Sequence, residues 1–212
     1  MKALIPVTFL FLGTPVLAAN ILSSFDTNSE DWTAANAAVF EWRDTDGNPP
    51  GQLYIDNNEG GLAYIFAPAK FRGDLTAYIG GTVAFDGKLL GTGGSFYNNT
   101  NFDYGSIRIS NGATTATLDL APGGAVPGTS AWQNFSAPLT AAAWGKTDQQ
   151  FADLLANVTE LRIGVEGLFG NEIQGIDNVQ ISAVPGPPAA VLLVTGVLGL
   201  AWRGFRPRPA GP

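Results

Sequence analysis

The chain has 212 residues, enough for one substantial domain with processing segments at its ends. It contains no cysteine and no histidine, which excludes a disulfide framework, thiolate chemistry, Ser-His and Cys-His nucleophile pairs and histidine-based zinc sites. The net charge is −7, and between Asn20 and Val184 seven basic residues stand against all eighteen acidic ones, a local −11 that repels phosphate backbones and argues against nucleic acid as a partner.

In chain order, residues 1–18 read as a signal peptide. Lys2 precedes the apolar run Ala3–Leu12, a Gly13-Thr14-Pro15 turn follows, and Val16-Leu17-Ala18 supplies small residues for cleavage after Ala18. The expected consequence is export of the body.

The body, residues 20–184, has the length of one all-β sandwich. Turn signals recur at "DTDGNPPG", "DNNEGG", "NNTN", "SNG" and "APGG", consistent with 27 Gly and 14 Pro in the chain. "LAYIFA" (Leu62–Ala67) has apolar residues on both faces, as a buried strand does. "SIRIS" turns Ile107 and Ile109 one way and Arg108 the other. "WQNFSAPL" is another short run. "ELRIGVE" sets Leu161, Ile163 and Val165 against Arg162 and Glu166, and "GIDNVQIS" closes the series. A short turn is expected in "GDLTAYIGG". The one helix expected is in "TDQQFADLLANV", where Thr147 and Gln150 make a capping box and Phe151, Leu154 and Leu155 form an apolar face, with Val158 beyond. Trp32, Trp42, Trp132 and Trp144 sit in or beside strand-like runs and read as core.

Taken in sequence, "SSFDTNSEDWT", "LYIDNNEGGLAYIFAPAKFRGDLTAYIGGTVAFDGK", "WQNFSAPLTAAAW", "FADLLANVTELRIGVEG" and "GIDNVQIS" resemble the laminin B domain, also called laminin domain IV. The stretch "YIFAPAKFRGDLTAYIGGTVAFD" carries most of that likeness. The resemblance implies a jelly-roll-type β-sandwich related to carbohydrate-binding modules, an extracellular setting and no catalytic activity. In such modules an early carboxylate and an Asp near the last strand hold a structural Ca²⁺, which here implies Asp26, Asp177 and Asn178. The same Asp177-Asn178 pair also fits a turn that bonds backbone amides. "DTDGN" (Asp44–Asn48) resembles part of an EF-hand loop, but Ile55 stands where the closing Glu belongs, so it reads as a solvated turn.

For a sugar ligand, the densest aromatic and amide stretch is "GGSFYNNTNFDYG". Phe96, Tyr97, Phe102 and Tyr104 could stack on pyranose faces and Asn99 could hydrogen-bond hydroxyls; packing of these aromatics under a sheet edge is the other reading. No nucleophile-elbow, phosphate-loop or dinucleotide motif is present, and no acidic pair sits in a recognisable catalytic motif. Binding of polysaccharide or other matrix components is expected. A purely structural matrix component, or a carboxylate-based polysaccharide-active enzyme, are the alternatives.

The end of the chain, residues 185–212, begins "VPGPPAA" at Val184 and continues through an uncharged run, Ala189–Trp202, into Arg203, Arg206 and Arg208. Proline motif (Val184, Pro185, Pro187, Pro188), short apolar segment and terminal arginines resemble a PEP-CTERM sorting tail of the VPLPA variant. That resemblance implies a C-terminal membrane segment, an exosortase-type processing enzyme, and the cell surface or extracellular matrix of a Gram-negative bacterium. The arginines would remain on the cytoplasmic side.

Overall fold

Each strand with a clear two-residue alternation forms where its pattern places it. The computed structural model describes residues 18–57, 61–92, 103–121, 129, 131–168 and 170–184. Within them the strands are β1 (Ile21–Ser23), β2 (Thr33–Ala35), β3 (Val39–Arg43), β4 (Gln52–Asn57), β5 (Tyr64–Phe66), β6 (Thr82–Thr92), β7 (Ser106–Ser110), β8 (Thr115–Asp119), β9 (Gln133–Pro138), β10 (Glu160–Gly164) and β11 (Glu172–Ser182). A helix, α1 (Asp148–Leu155), and single 3-10 turns at Ala69–Phe71 and Thr76–Tyr78 complete them.

The strands form two antiparallel sheets. One runs β3-β4-β11-β6-β9, with β1 continuing the β4 edge of β11; the other runs β2-β5-β10-β7-β8. Between them lies one core, with Leu53, Ile55, Val83, Phe85, Ile176, Val179 and Ile181 from the first sheet and Ile65, Ile107, Ile109, Leu161 and Ile163 from the second. Each such side chain contributes about 1.5–3 kcal/mol when fully buried. The architecture is a β-sandwich with one helix, as the alternation and turn density predict.

Thr147 Oγ1 accepts from the Gln150 N–H at 3.2 Å and the Thr147 N–H donates to Gln150 Oε1 at 3.0 Å, so the capping box forms. Phe151, Leu154 and Leu155 are buried, and the Phe151 ring lies 6.0 Å from that of Trp144.

Three expectations change. In β5 only Ile65 faces the core, while Tyr64 and Phe66 are half-buried on the outer face, where the Arg162 guanidinium lies 4.0 Å above the Tyr64 ring. The alternation of β10 ends at Gly164, so Val165 and Glu166 are both buried and Glu166 does not face solvent beside Arg162. Trp132 is half-buried on the outer surface of the six-stranded sheet; Trp32 and Trp144 are core, and Trp42 packs against the core from its edge.

No helix among the described residues is long and apolar enough to cross a membrane. Residues 1–17 of the segment expected to be a signal peptide, and the tail residues Pro185, Pro187, Pro188, Arg203 and Arg206, lie outside the described residues; Ala18 is described and packs against the core, and Val184 is described and exposed.

Candidate functional site

The outer face of the six-stranded sheet carries a cleft. Strand register puts Tyr54 of β4, Gly175 of β11 and Lys88 of β6 in one row across three adjacent strands. All three point outward, because their neighbours Leu53, Ile55, Ile176 and Leu89 point into the core. Gly175 leaves the middle of the row without a side chain. A Cβ there would sit 2.3 Å from Gln52 Oε1 and 2.9 Å from the Trp132 ring, so glycine lets both side chains lie across β11.

Around this floor stand Arg43, Asp46, Gln52, Tyr54, Lys88 and Leu90, enclosing about 410 Å³. The Arg43 guanidinium stacks 3.2 Å from the Tyr54 ring centroid and is held from the side by Glu41 Oε1 at 2.6 Å. Trp132 Nε1 donates to the Asp46 carbonyl at 3.0 Å, and Gln52 Nε2 donates to the Thr45 carbonyl at 2.8 Å. Both bonds tie the loop at residues 44–51 to the sheet. Gln52 Oε1 is buried with no hydrogen-bond partner among the described residues. Such an acceptor suits the hydroxyl of an incoming ligand.

Beside the cleft, the structure brings the expected pair Asp177 and Asn178 into a network with Asp86, Asn48 and Asn134. Asp86 of β6 and Asp177 of β11 are register partners, and the ladder is then interrupted by an irregularity in which Asn178 takes φ +48°. Asp177 Oδ2 accepts from the Asn48 N–H and Asp177 Oδ1 from the Asn178 N–H, both at 2.6 Å. Asp86 accepts from the side-chain amides of Asn134 (2.8 Å), Asn178 (2.9 Å) and Asn48 (3.1 Å). Asn178 Nδ2 also donates to the Asn48 carbonyl. Asp26 lies on the surface, accepting from Ser24 Oγ at 2.8 Å.

Asp177 is fully buried. Burial pushes its carboxyl up to about 6; the Asn48 and Asn178 amides pull it down, and the charges of Asp86 and Asp26 push it up again. Asp26 is therefore near enough to be felt by Asp177. Among the described residues no three acidic side chains converge as a metal-binding group. The visible role of the network is to pin the 44–51 loop that walls the cleft.

Of the aromatic loop expected to bind sugar, only Asp103, Tyr104 and Gly105 are among the described residues. Phe96, Tyr97, Asn99 and Phe102 lie outside the described residues. Tyr104 is 1% exposed, with its ring 6.3 Å from Phe85 and 5.6 Å from Phe135, so its face is committed to the core rather than to a ligand. Burial raises its hydroxyl well above the usual tyrosine range.

No protein-family model and no curated protein matches the chain. Among solved structures, an exo-beta-agarase matches with TM-score 0.52 at 12% identity, over 77% of this chain and 24% of the agarase chain. This chain thus spans about a quarter of that enzyme. The L4b domain of human laminin alpha-2 is similar with TM-score 0.49 at 13% identity, over 67% of this chain and 84% of that one. The family 30 carbohydrate-binding module of a Clostridium thermocellum cellulosomal cellulase gives TM-score 0.49 at 12% identity, over 80% of this chain and all (100%) of the module. At these identities the likeness concerns the fold.

Proposed function

We propose that this chain is an exported, non-catalytic module that binds a polysaccharide chain along the outer face of its six-stranded sheet. The observation that carries the reading is the cleft, where the buried, unpartnered Gln52 Oε1 lies among Trp132, the Arg43–Tyr54 stack and Lys88. Sugar recognition needs flat apolar faces for the ring and a few fixed donors and acceptors for its hydroxyls. Here Trp132 supplies the flat face, Lys88 and Arg43 donate, and Asp46 and Gln52 accept. The occurrence of a similar fold within an exo-beta-agarase chain supports the reading at the level of architecture.

Calcium at Asp26, Asp177 and Asn178 belongs to the same proposal, as an ion fixing the 44–51 loop. For the tail, the proposal is recognition by an exosortase-type membrane enzyme, with the mature protein at the cell surface or in the extracellular matrix of a Gram-negative bacterium. An intact "RPRPAGP" terminus on protein recovered from the surface, seen by mass spectrometry, would overturn that part.

A glycan array followed by calorimetry tests the binding reading. The expected result is binding to a subset of polysaccharides that Trp132→Ala and Lys88→Ala each weaken by about tenfold, the loss of one good contact. No binding above background, or binding indifferent to both substitutions, would favour a purely structural matrix component.

A further inference from the structure

Glu172 opens β11 with its side chain turned into the sandwich, opposite Asn57 of β4 in the strand register. Gln174, two residues on, shares that inward face, and its Nε2 donates to Glu172 Oε2 at 3.2 Å. From the other sheet comes Glu166, just beyond β10. It precedes Gly167, whose N–H bonds the Glu172 carboxylate, so the two glutamates are neighbours and the charge of one is felt by the other. None of these four residues is more than 7% exposed.

The polar atoms here do not satisfy one another. Among the described residues, Glu166 Oε2, Gln174 Oε1, Asn57 Oδ1 and Asn57 Nδ2 have no hydrogen-bond partner. Glu172 does better, since its Oε1 accepts from the Gly167 N–H at 2.8 Å. The three ion pairs among the described residues all lie elsewhere, so neither glutamate has a lysine or arginine beside it. Burial pushes Glu166 up to about 8, with help from the Glu172 charge, and Glu172 up to about 7.

We infer that this interior cluster is a site for one hard divalent cation of the Ca²⁺ class, held by the carboxylates of Glu166 and Glu172 and the amide oxygens of Gln174 and Asn57. The unmet need is for positive charge shared among oxygens. The donors are oxygen only, two anionic and two neutral, which suits a hard cation and no soft metal. A lone water would donate two hydrogens and leave two buried carboxylates uncompensated. The contrast with Asp177 is informative, because there both carboxylate oxygens already accept backbone N–H bonds. The site lies inside the sandwich, facing away from the outer cleft, and its existence does not depend on the polysaccharide reading.

The test uses the full-length chain stripped with chelator, titrated with terbium(III) and excited through its aromatic side chains, with calcium as competitor. The expected result is sensitised terbium emission that saturates and is reversed by calcium. Glu166→Gln should weaken terbium at least tenfold, as should Glu172→Gln. Circular dichroism checks that each variant is folded, and Glu166→Gln, at the margin of the cluster, keeps the test decisive if Glu172→Gln does not fold. Asp177→Asn should leave unchanged the part of the emission that Glu166→Gln removes, with or without a second ion at Asp177. Absence of saturable emission at millimolar metal would overturn the inference. So would emission lost in Asp177→Asn and retained in Glu166→Gln, which would place the ion at the chain-end carboxylates instead.

Discussion

Replacing Asp177 by Asn should alter stability with a sign that depends on pH. In chelator the wild-type carboxyl is held at about 6 against an ordinary 3.8. A carboxyl raised by folding favours the native state in its protonated form. Its contribution is therefore intact below 3.8 and is lost as pH rises through 6. The full difference is roughly 3 kcal/mol at about 1.4 kcal/mol per pH unit, and about 2 kcal/mol of it falls between pH 4.5 and pH 8. Asparagine removes the charge but keeps one acceptor oxygen, so one of the two amides at Asn48 and Asn178 loses its partner, a cost of about 1–3 kcal/mol. The variant should thus be the less stable protein at pH 4.5 by about that cost, and should draw level with or overtake the wild type at pH 8. Urea denaturation followed by tryptophan fluorescence, at both pH values and in chelator, measures the difference directly. Because Glu166 and Glu172 titrate in both proteins, their effects cancel in the comparison. A gap that stays constant between the two pH values would refute the argument from burial. Calcium bound by Asp177 would add a further sign: at pH 8 it should raise wild-type stability by more than it raises that of the variant, which keeps the interior Glu166–Glu172 site.

Gly175→Ala should weaken polysaccharide binding severalfold at little cost in stability, because the new methyl meets the movable ends of Gln52 and Trp132; calorimetry beside a melting curve separates the two effects. Phe85→Ala should cost about 3–5 kcal/mol in denaturant unfolding, since it empties the space between Tyr104 and Phe135. Thr147→Ala should cost about 1 kcal/mol by removing the capping box of α1, seen as a lower urea midpoint with unchanged slope.

Where a rule of local chemistry acted within a few residues, the sequence was readable. Thr147 and Gln150 are three apart and meet across one helical turn, and the isoleucines of "SIRIS" alternate because adjacent side chains of a strand oppose each other. Short strands such as β1 and β2, three residues each, are too brief to show a period; β1 forms along the eleven-residue β11, and β2 along β5, itself three residues long. The cleft was illegible for another reason. Its members come from residues 43–54, 88–90, 132 and 173–175, and only strand order joins them. Trp132 and Tyr104 exchanged the roles their neighbourhoods suggested. The tryptophan beside β9 has a carbonyl at Asp46 to bond outside the sheet, whereas the tyrosine from the amide-rich loop meets two phenylalanines inside. Glu166, set against the apolar residues of "ELRIGVE", looked like a surface charge, because acidic residues almost always are.

β11 separates β4 from β6 in the six-stranded sheet and is also the only pairing partner of β1. It is the last of the described strands to leave a ribosome. When synthesis has reached Gly170, the five-stranded sheet has all its strands, yet the other exists only as two unjoined ribbons, β3-β4 and β6-β9, with the first strand of the domain unattached. The cleft at that moment has no floor, since Gly175 has not been made. Closure of the domain therefore waits for its final eleven-residue strand.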